Sequence, residues 1–245
     1  MSKAPKGMYK FVIEACRPLT KILMKPHWKG QENLPTEEPF ILIVNHVTEF
    51  DPFVIMHFLA DEGHAVRALA KESLFRTPLV KHIFTSTKMV PVYRGTNAAG
   101  DALKYAKVAI AEGESVAIFP EGTLTRDPDL WPMQFKTGAA RLALATGAPV
   151  IPLAQWGGHK ILHRWRNSLP KFGKRHDTWV VAGKPIDLSD LNQDENDRQA
   201  VVEATRRMYQ TLTRMVEDIR GEKAPKTPWD PKIEAYAPAT DDTSQ

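Results

Sequence analysis

The segment Asn45-His46-Val47-Thr48-Glu49-Phe50-Asp51 sets a histidine and an aspartate five positions apart. An unperturbed imidazole titrates near neutral pH, so His46 is a candidate general base. A base working through one ring nitrogen needs an acceptor on the other to fix its tautomer, and Asp51 can fold back to supply it. There is no Gly-x-Ser-x-Gly elbow, and the single cysteine, Cys16, lies in a basic helical segment. No covalent nucleophile therefore accompanies the pair. Such a pair suits removal of a proton from a substrate's own hydroxyl. A plainer reading stands beside this one: Asp followed by Pro52 is an ordinary helix start, and His46 a polar strand-end residue.

A second segment, Phe119-Pro120-Glu121-Gly122-Thr123, follows another apolar run. Gly122 allows close backbone approach. Glu121 and Thr123 have the side chains to hydrogen-bond a polyol, and Arg126 to hold a phosphate. The alternative is a Pro-Gly turn joining a strand to a helix.

Both segments sit where strands end. Phe40–Val44 and Ser115–Phe119 are continuous apolar runs, as expected of strands buried on both faces. Further strands are predicted at Ala65–Ala70, Lys88–Val92, Pro149–Ala154 and Thr178–Ala182. Helices are predicted from Pro52 to Leu59, over Asn97–Glu112 and Gly138–Thr146, and over Asp194–Ile219 with Val201, Met208, Leu212, Met215 and Ile219 on one stripe. This alternation implies an α/β fold with a mostly parallel sheet flanked by helices. In such sheets active sites lie at the carboxyl ends of the strands.

The ends of the chain read differently. Met8, Phe11, Val12, Ala15, Leu19, Ile22 and Leu23 recur at helical spacing, with Lys10, Arg17, Lys21 and Lys25 mostly off that stripe. A basic amphipathic helix of this kind lies flat in a bilayer interface, or else packs on its own domain. Residues 1–30 carry seven basic side chains against one acid, Glu14, whereas residues 222–245 carry three against five. The expected division is a membrane-binding helix at 1–26, a catalytic domain at 27–221 and a flexible tail at 222–245 with four prolines.

At 245 residues, with 42% apolar and 25% charged side chains, the chain can bury a core of one large domain. One cysteine excludes an internal disulfide and a cysteine-cluster metal site. The net charge of +4 is too mild to argue for nucleic acid. No apolar run reaches the length of a membrane-spanning helix, and the basic N-terminus does not read as a signal peptide, so a cytosolic location is expected.

Four ordered segments together resemble the glycerolipid acyltransferases of the lysophosphatidate (PlsC-like) type. Asn45–Asp51 matches that family's N-H-x4-D. Lys71-Glu-Ser-Leu-Phe75-Arg-Thr-Pro78 matches K-x-x-L-F-x-x-P, with Pro91-Val92-Tyr93-Arg94 as its downstream end. Phe119–Thr123 matches F-P-E-G-T, and Val150-Ile151-Pro152 the last segment. The match runs over roughly residues 27–185.

The resemblance implies a glycerol-3-phosphate acyltransferase-like fold. It implies that His46 deprotonates the acceptor hydroxyl, which attacks an acyl thioester directly, while Asp51 orients His46. Arg94 and Arg126 would hold the acceptor phosphate with assistance from Lys71, and Asn45, Glu121, Gly122 and Thr123 would complete the substrate site. No metal or cofactor is expected. The co-substrates are acyl-CoA, or acyl carrier protein as donor, and 1-acylglycerol-3-phosphate, giving phosphatidate in phospholipid biosynthesis. The implied location is peripheral, on the cytoplasmic face of the cell membrane. The sequence departs from the family at one point: F-P-E-G-T is often followed by Arg, but here by Leu124. Another acceptor, such as glycerol-3-phosphate, a lysophospholipid or a glycolipid, therefore stays open.

The stretch from Trp156 to Trp179 mixes cations with aromatic rings. It suits a headgroup interface or coenzyme A phosphates. Two other classes of function remain: a metal-dependent hydrolase using His46, Asp51 and Glu121, and a non-catalytic membrane lipid-binding protein.

Overall fold

The computed structural model describes residues 5–71, 76, 78–87, 89–92, 98–164 and 169–237. Its centre is β2 (Ile41–Val44), an Ile-Leu-Ile-Val run buried at every residue. Successive side chains of a strand point to opposite faces. Ile41 and Ile43 accordingly enter one core layer, and Leu42 and Val44 the other. A strand apolar on both sides requires cover on both sides, and helices supply it.

Parallel neighbours flank β2 directly: β5 (Ser115–Ile118) on one side and β6 (Val150–Trp156) on the other. Beyond β5 come β3 (Val66–Lys71) and β4 (Val90–Val92), also parallel. Beyond β6 lies β7 (His176–Ala182), which is antiparallel to it, and then β1 (Met24–Lys29), parallel to β7. The full order is β1-β7-β6-β2-β5-β3-β4. The sheet is thus mostly parallel, as the alternating pattern implies.

One face is covered by α4 (Ala98–Ala111), α5 (Gly138–Thr146) and α7 (Arg198–Arg220). On α7 the buried stripe runs through Val201, Met208, Leu212 and Val216, with Met215 and Ile219 partly buried beside it. The helix begins at Asp197, whose side chain accepts the N–H groups of Gln199 and Ala200 and so satisfies two of its free donors. The other face is covered by α1 (Gly7–Leu23) and α2 (Asp51–Asp61), with Phe58, Leu59 and Leu23 fully buried. Between β3 and β4 runs α3 (Pro78–Ser86), where the sequence suggests only a basic, aromatic connection.

The N-terminal helix is docked onto the body of the protein. Arg17 Nη2 donates to Asp61 on α2 at 2.6 Å, and the Tyr9 hydroxyl accepts the N–H of Val66 at 3.3 Å. The inward face carries Ile13, Thr20 and Leu23. Phe11, at 67% exposure, and Ile22, at 61%, lie on the outward face with Leu19. The apolar stripe in the sequence is therefore divided between the two faces. The helix passes straight into β1, so the boundary expected at 26/27 falls inside a strand. That strand was not predicted. Met24-Lys-Pro-His-Trp-Lys29 is polar and contains proline, a residue that sheets accept at their edges.

The C-terminal segment expected to be flexible folds back as far as residue 237. β8 (Trp229–Asp230) and β9 (Ala235–Tyr236) form an antiparallel hairpin. The Trp229 carbonyl accepts the N–H of Gln134, and its ring meets Tyr236 edge-on. Among the described residues no helix is long and apolar enough to cross a membrane.

Candidate active site

The loop after β2 carries His46 to the carboxyl end of the parallel sheet. His46 Nδ1 lies 3.0 Å from Asp51 Oδ2. The same oxygen accepts the backbone N–H groups of Val47, at 2.6 Å, and Thr48, at 2.9 Å. Asp51 is fully buried at the first residue of α2. It does not cap that helix: its carboxylate turns back into the preceding loop. Three donors on one oxygen fix it as an acceptor facing the imidazole. No described residue hydrogen-bonds His46 Nε2, and the side chain keeps 17% exposure. The ring therefore offers one nitrogen to Asp51, and the other has no partner among the described residues.

The His46 backbone is held at both ends. Its N–H donates to Glu121 Oε1 at 2.9 Å, and its carbonyl accepts the N–H of Thr125 at 2.7 Å. Its ring stacks on Phe119, with centroids 3.9 Å apart at 21°. Phe119, Glu121 and Thr125 all follow β5, the direct neighbour of β2. Parallel pairing thus delivers the two motif segments side by side.

Glu121 is 2% exposed, and its other oxygen accepts the N–H of Met133 at 3.1 Å. Burial pushes its carboxyl up to about 8; the N–H groups of Met133 and His46 oppose the rise, and Asp51 adds to it. Asn45 is likewise closed off, at 1% exposure. Its amide donates to the Gln155 carbonyl at 3.0 Å and accepts the Gln155 N–H at 2.9 Å. Gln155 returns a third bond from its side chain to the Asn45 carbonyl. These bonds tie the end of β2 to β6. Both side chains are thus committed to holding backbone.

On the outer side of the same turn, Gly122 and Arg126 are exposed and Thr123 is half-buried. Leu124, at the position the family often fills with Arg, is 6% exposed. Lys71 ends β3, paired with Val92 of β4. Arg94 lies outside the described residues, as do residues 165–168 of the basic, aromatic stretch.

Some contributors are not legible as motif residues. Gly158, at the start of the short α6 (Gly158–Ile161), packs against Asp51: a Cβ there would lie 2.9 Å from Oδ1 and 3.0 Å from Thr48 Cγ2. The Thr48 hydroxyl donates to the Leu162 carbonyl at 2.7 Å. Arg164 Nη1 donates to the carbonyls of Thr125, at 2.6 Å, and Asp127, at 2.7 Å. Nearby, burial lowers His159 to about 4, helped by Lys160 and Arg220. The segment from 158 to 164 is therefore a third wall of the site.

A loop at the carboxyl end of a mostly parallel sheet, with an imidazole oriented by a buried carboxyl group and a clamped backbone, defines an α/β protein with a polar site at its strand ends. The chain belongs to the acyltransferase family, of the PlsC-like type: the acyltransferase family model matches residues 25–156. It is 31% identical over 171 residues to a chloroplastic 1-acyl-sn-glycerol-3-phosphate acyltransferase of Brassica napus, covering 68% of this chain and 47% of that one. A Bacillus subtilis protein with the same description is 28% identical over 184 residues, covering 75% and 85%. A Borreliella burgdorferi protein is 35% identical over 126 residues, covering 51% and 48%. The chain thus spans about half the length of the Brassica and Borreliella relatives it matches. The crystal structure of PlsC from Thermotoga maritima superposes with a TM-score of 0.65 at 22% identity, covering 88% of this chain and 83% of that one. It shares the fold.

Proposed function

We propose that this protein transfers a fatty acyl group from a thioester to the free hydroxyl of 1-acylglycerol-3-phosphate, giving phosphatidate, while resting on a membrane surface. The observation that carries this reading is the His46–Asp51 pair, held at 3.0 Å with no partner for Nε2 among the described residues. In the proposed reaction Nε2 takes the acceptor's hydroxyl proton as the oxygen attacks the thioester carbonyl. The tetrahedral intermediate collapses with cleavage of the C–S bond, and the departing thiolate recovers the proton from the imidazolium. Asp51 holds the Nδ1–H throughout. A positioned base contributes about 10²–10⁴-fold, so alignment of acceptor and thioester supplies much of the rest.

In this reading Asn45 and Glu121 hold the loop, Gly122 and Thr123 line the acceptor's path, and Arg126, Arg94 and Lys71 serve its phosphate. The donor is acyl-CoA, with acyl carrier protein as the alternative. The site is peripheral, on the cytoplasmic face of the cell membrane, with Phe11, Leu19 and Ile22 as the apolar contact. A second acceptor, a lysophospholipid or glycolipid, is favoured by one observation: position 124 presents a buried leucine.

The test is thiol release from palmitoyl-CoA in detergent micelles, with and without lysophosphatidate, for wild type and His46→Ala. Release that needs the acceptor and vanishes in the variant supports the reaction and its base together. Acceptor-independent release would overturn it. Release with another lipid alone would move the substrate and keep the chemistry.

A further inference from the structure

Lys136 crosses the turn that the base depends on. Gly122 has φ +72, and its N–H closes the turn onto the Phe119 carbonyl at 2.9 Å. From across this turn the Lys136 N–H donates to the Pro120 carbonyl at 2.9 Å. The Lys136 side chain then lies back over Gly122. A Cβ built on Gly122 would sit 2.6 Å from Nζ and 2.9 Å from Cε. Glycine at 122 is therefore favoured by its positive φ, and the absence of a side chain there leaves the space the lysine occupies.

Two nearby cations are committed elsewhere, whereas Arg126, on the outer side of the same turn, is exposed as Lys136 is. Arg164 donates to two backbone carbonyls. Arg220 sits over the rings of Trp131 and Trp156 and pairs with Glu222. Lys136 is exposed, and no acidic side chain among the described residues pairs with it. The residue beside Gly122 is Glu121, which holds the N–H of His46 from the buried side. The two faces of one turn thus differ: the inner face holds the His46 backbone, and the outer carries an exposed ammonium with no acidic partner among the described residues.

We propose that Lys136 contacts substrate, its ammonium binding a phosphate group brought to this turn. That phosphate belongs either to the lipid acceptor or to the carrier of the acyl thioester. An ammonium is a compact point charge on a flexible stem, able to follow a phosphate that arrives over a backbone without side-chain bulk. The assignment rests on the acyl-transfer reading above.

The test is steady-state kinetics on the full chain with palmitoyl-CoA and lysophosphatidate as the varied substrates, for wild type, Lys136→Met and Lys136→Arg. Methionine keeps an apolar stem over Gly122 and removes the charge. One charge-assisted contact predicts a KM about 10-fold higher in Lys136→Met, with kcat nearly unchanged and substantial recovery in Lys136→Arg. A rise confined to lysophosphatidate assigns the contact to the acceptor; a rise confined to palmitoyl-CoA assigns it to the donor. If neither KM moves while wild type turns over, the Lys136 assignment falls and acyl transfer stands. A lower kcat with unchanged KM, or a lowered melting temperature that explains the loss, also overturns it. No acceptor-dependent release by wild type removes the acyl-transfer reading, and this assignment with it.

Discussion

The side-chain carboxyl group of Glu121 accepts the backbone N–H of His46 at 2.9 Å, a bond between residues 75 positions apart in the chain. It fixes His46, the proposed base, through its main chain, leaving the imidazole to Asp51 and Phe119. Three independent constraints thus act on one residue: on its backbone, on its Nδ1 and on its ring plane.

Loss of the base is the most direct consequence to measure. His46→Ala should lower kcat about 10³-fold or more, and Asp51→Asn by a comparable factor, because an amide cannot hold Nδ1–H as a carboxylate does. Acceptor-dependent thiol release reads both. Wild-type turnover in either variant would remove the pair from the mechanism.

Glu121 predicts a pH dependence of stability. Its carboxyl is raised to about 8 in the folded chain, chiefly by burial. An unfolded glutamate titrates near about 4.3. Between these values the folded protein holds a proton that the unfolded chain has released, so this group's contribution declines as pH rises through that window. Thermal melts of wild type and Glu121→Gln from pH 5 to 8 isolate the effect. The variant should be less stable and show the flatter slope. Parallel slopes would mean that Glu121 does not titrate there.

Gly158 leaves no room beside Asp51. The extra methyl of Gly158→Ala would press on Oδ1 and on Thr48, an overpacking strain of about 1–3 kcal/mol. The expected result is a kcat on the order of 10–100-fold lower through a displaced carboxylate, with acceptor KM little changed. Full kcat in a folded Ala variant would show that the loop relaxes freely.

The outward face of α1 predicts membrane contact. Phe11 and Ile22 are exposed while the opposite face is docked, so both can be changed without opening the core. Burying such a side chain is worth about 1.5–3 kcal/mol, so Phe11→Asp with Ile22→Asp should weaken sedimentation with anionic vesicles at least about 10-fold. Unchanged sedimentation at an unchanged melting temperature would assign lipid contact elsewhere.

What the sequence shows plainly is what is local. Ile41–Val44 and Ser115–Ile118 announce themselves as buried strands because consecutive apolar residues have few other places to go. His46 and Asp51 are legible because both partners fall in one loop. β1 is hidden because its pairing with β7 runs through backbone groups that every residue shares. The periodicity of α1 marks an apolar surface without saying which part of it docks; Ile13 and Leu23 face inward while Phe11 and Ile22 face out. Glu121 reads as a polyol ligand because its type suits one, and only the fold discloses that its oxygens meet two backbone donors. Gly158 and Lys136 leave no local signal, since each matters through a residue more than a dozen positions away.

The three bonds between Asn45 and Gln155 join strand ends 110 residues apart, and the bond from His46 to Glu121 joins ends 75 apart. Contacts of such long sequence separation form slowly, because much chain must be ordered before they are rewarded. The proposed site is therefore expected to be among the last things to appear as the chain folds. During refolding, helical signal from α7, a local element, should return well before enzymatic turnover.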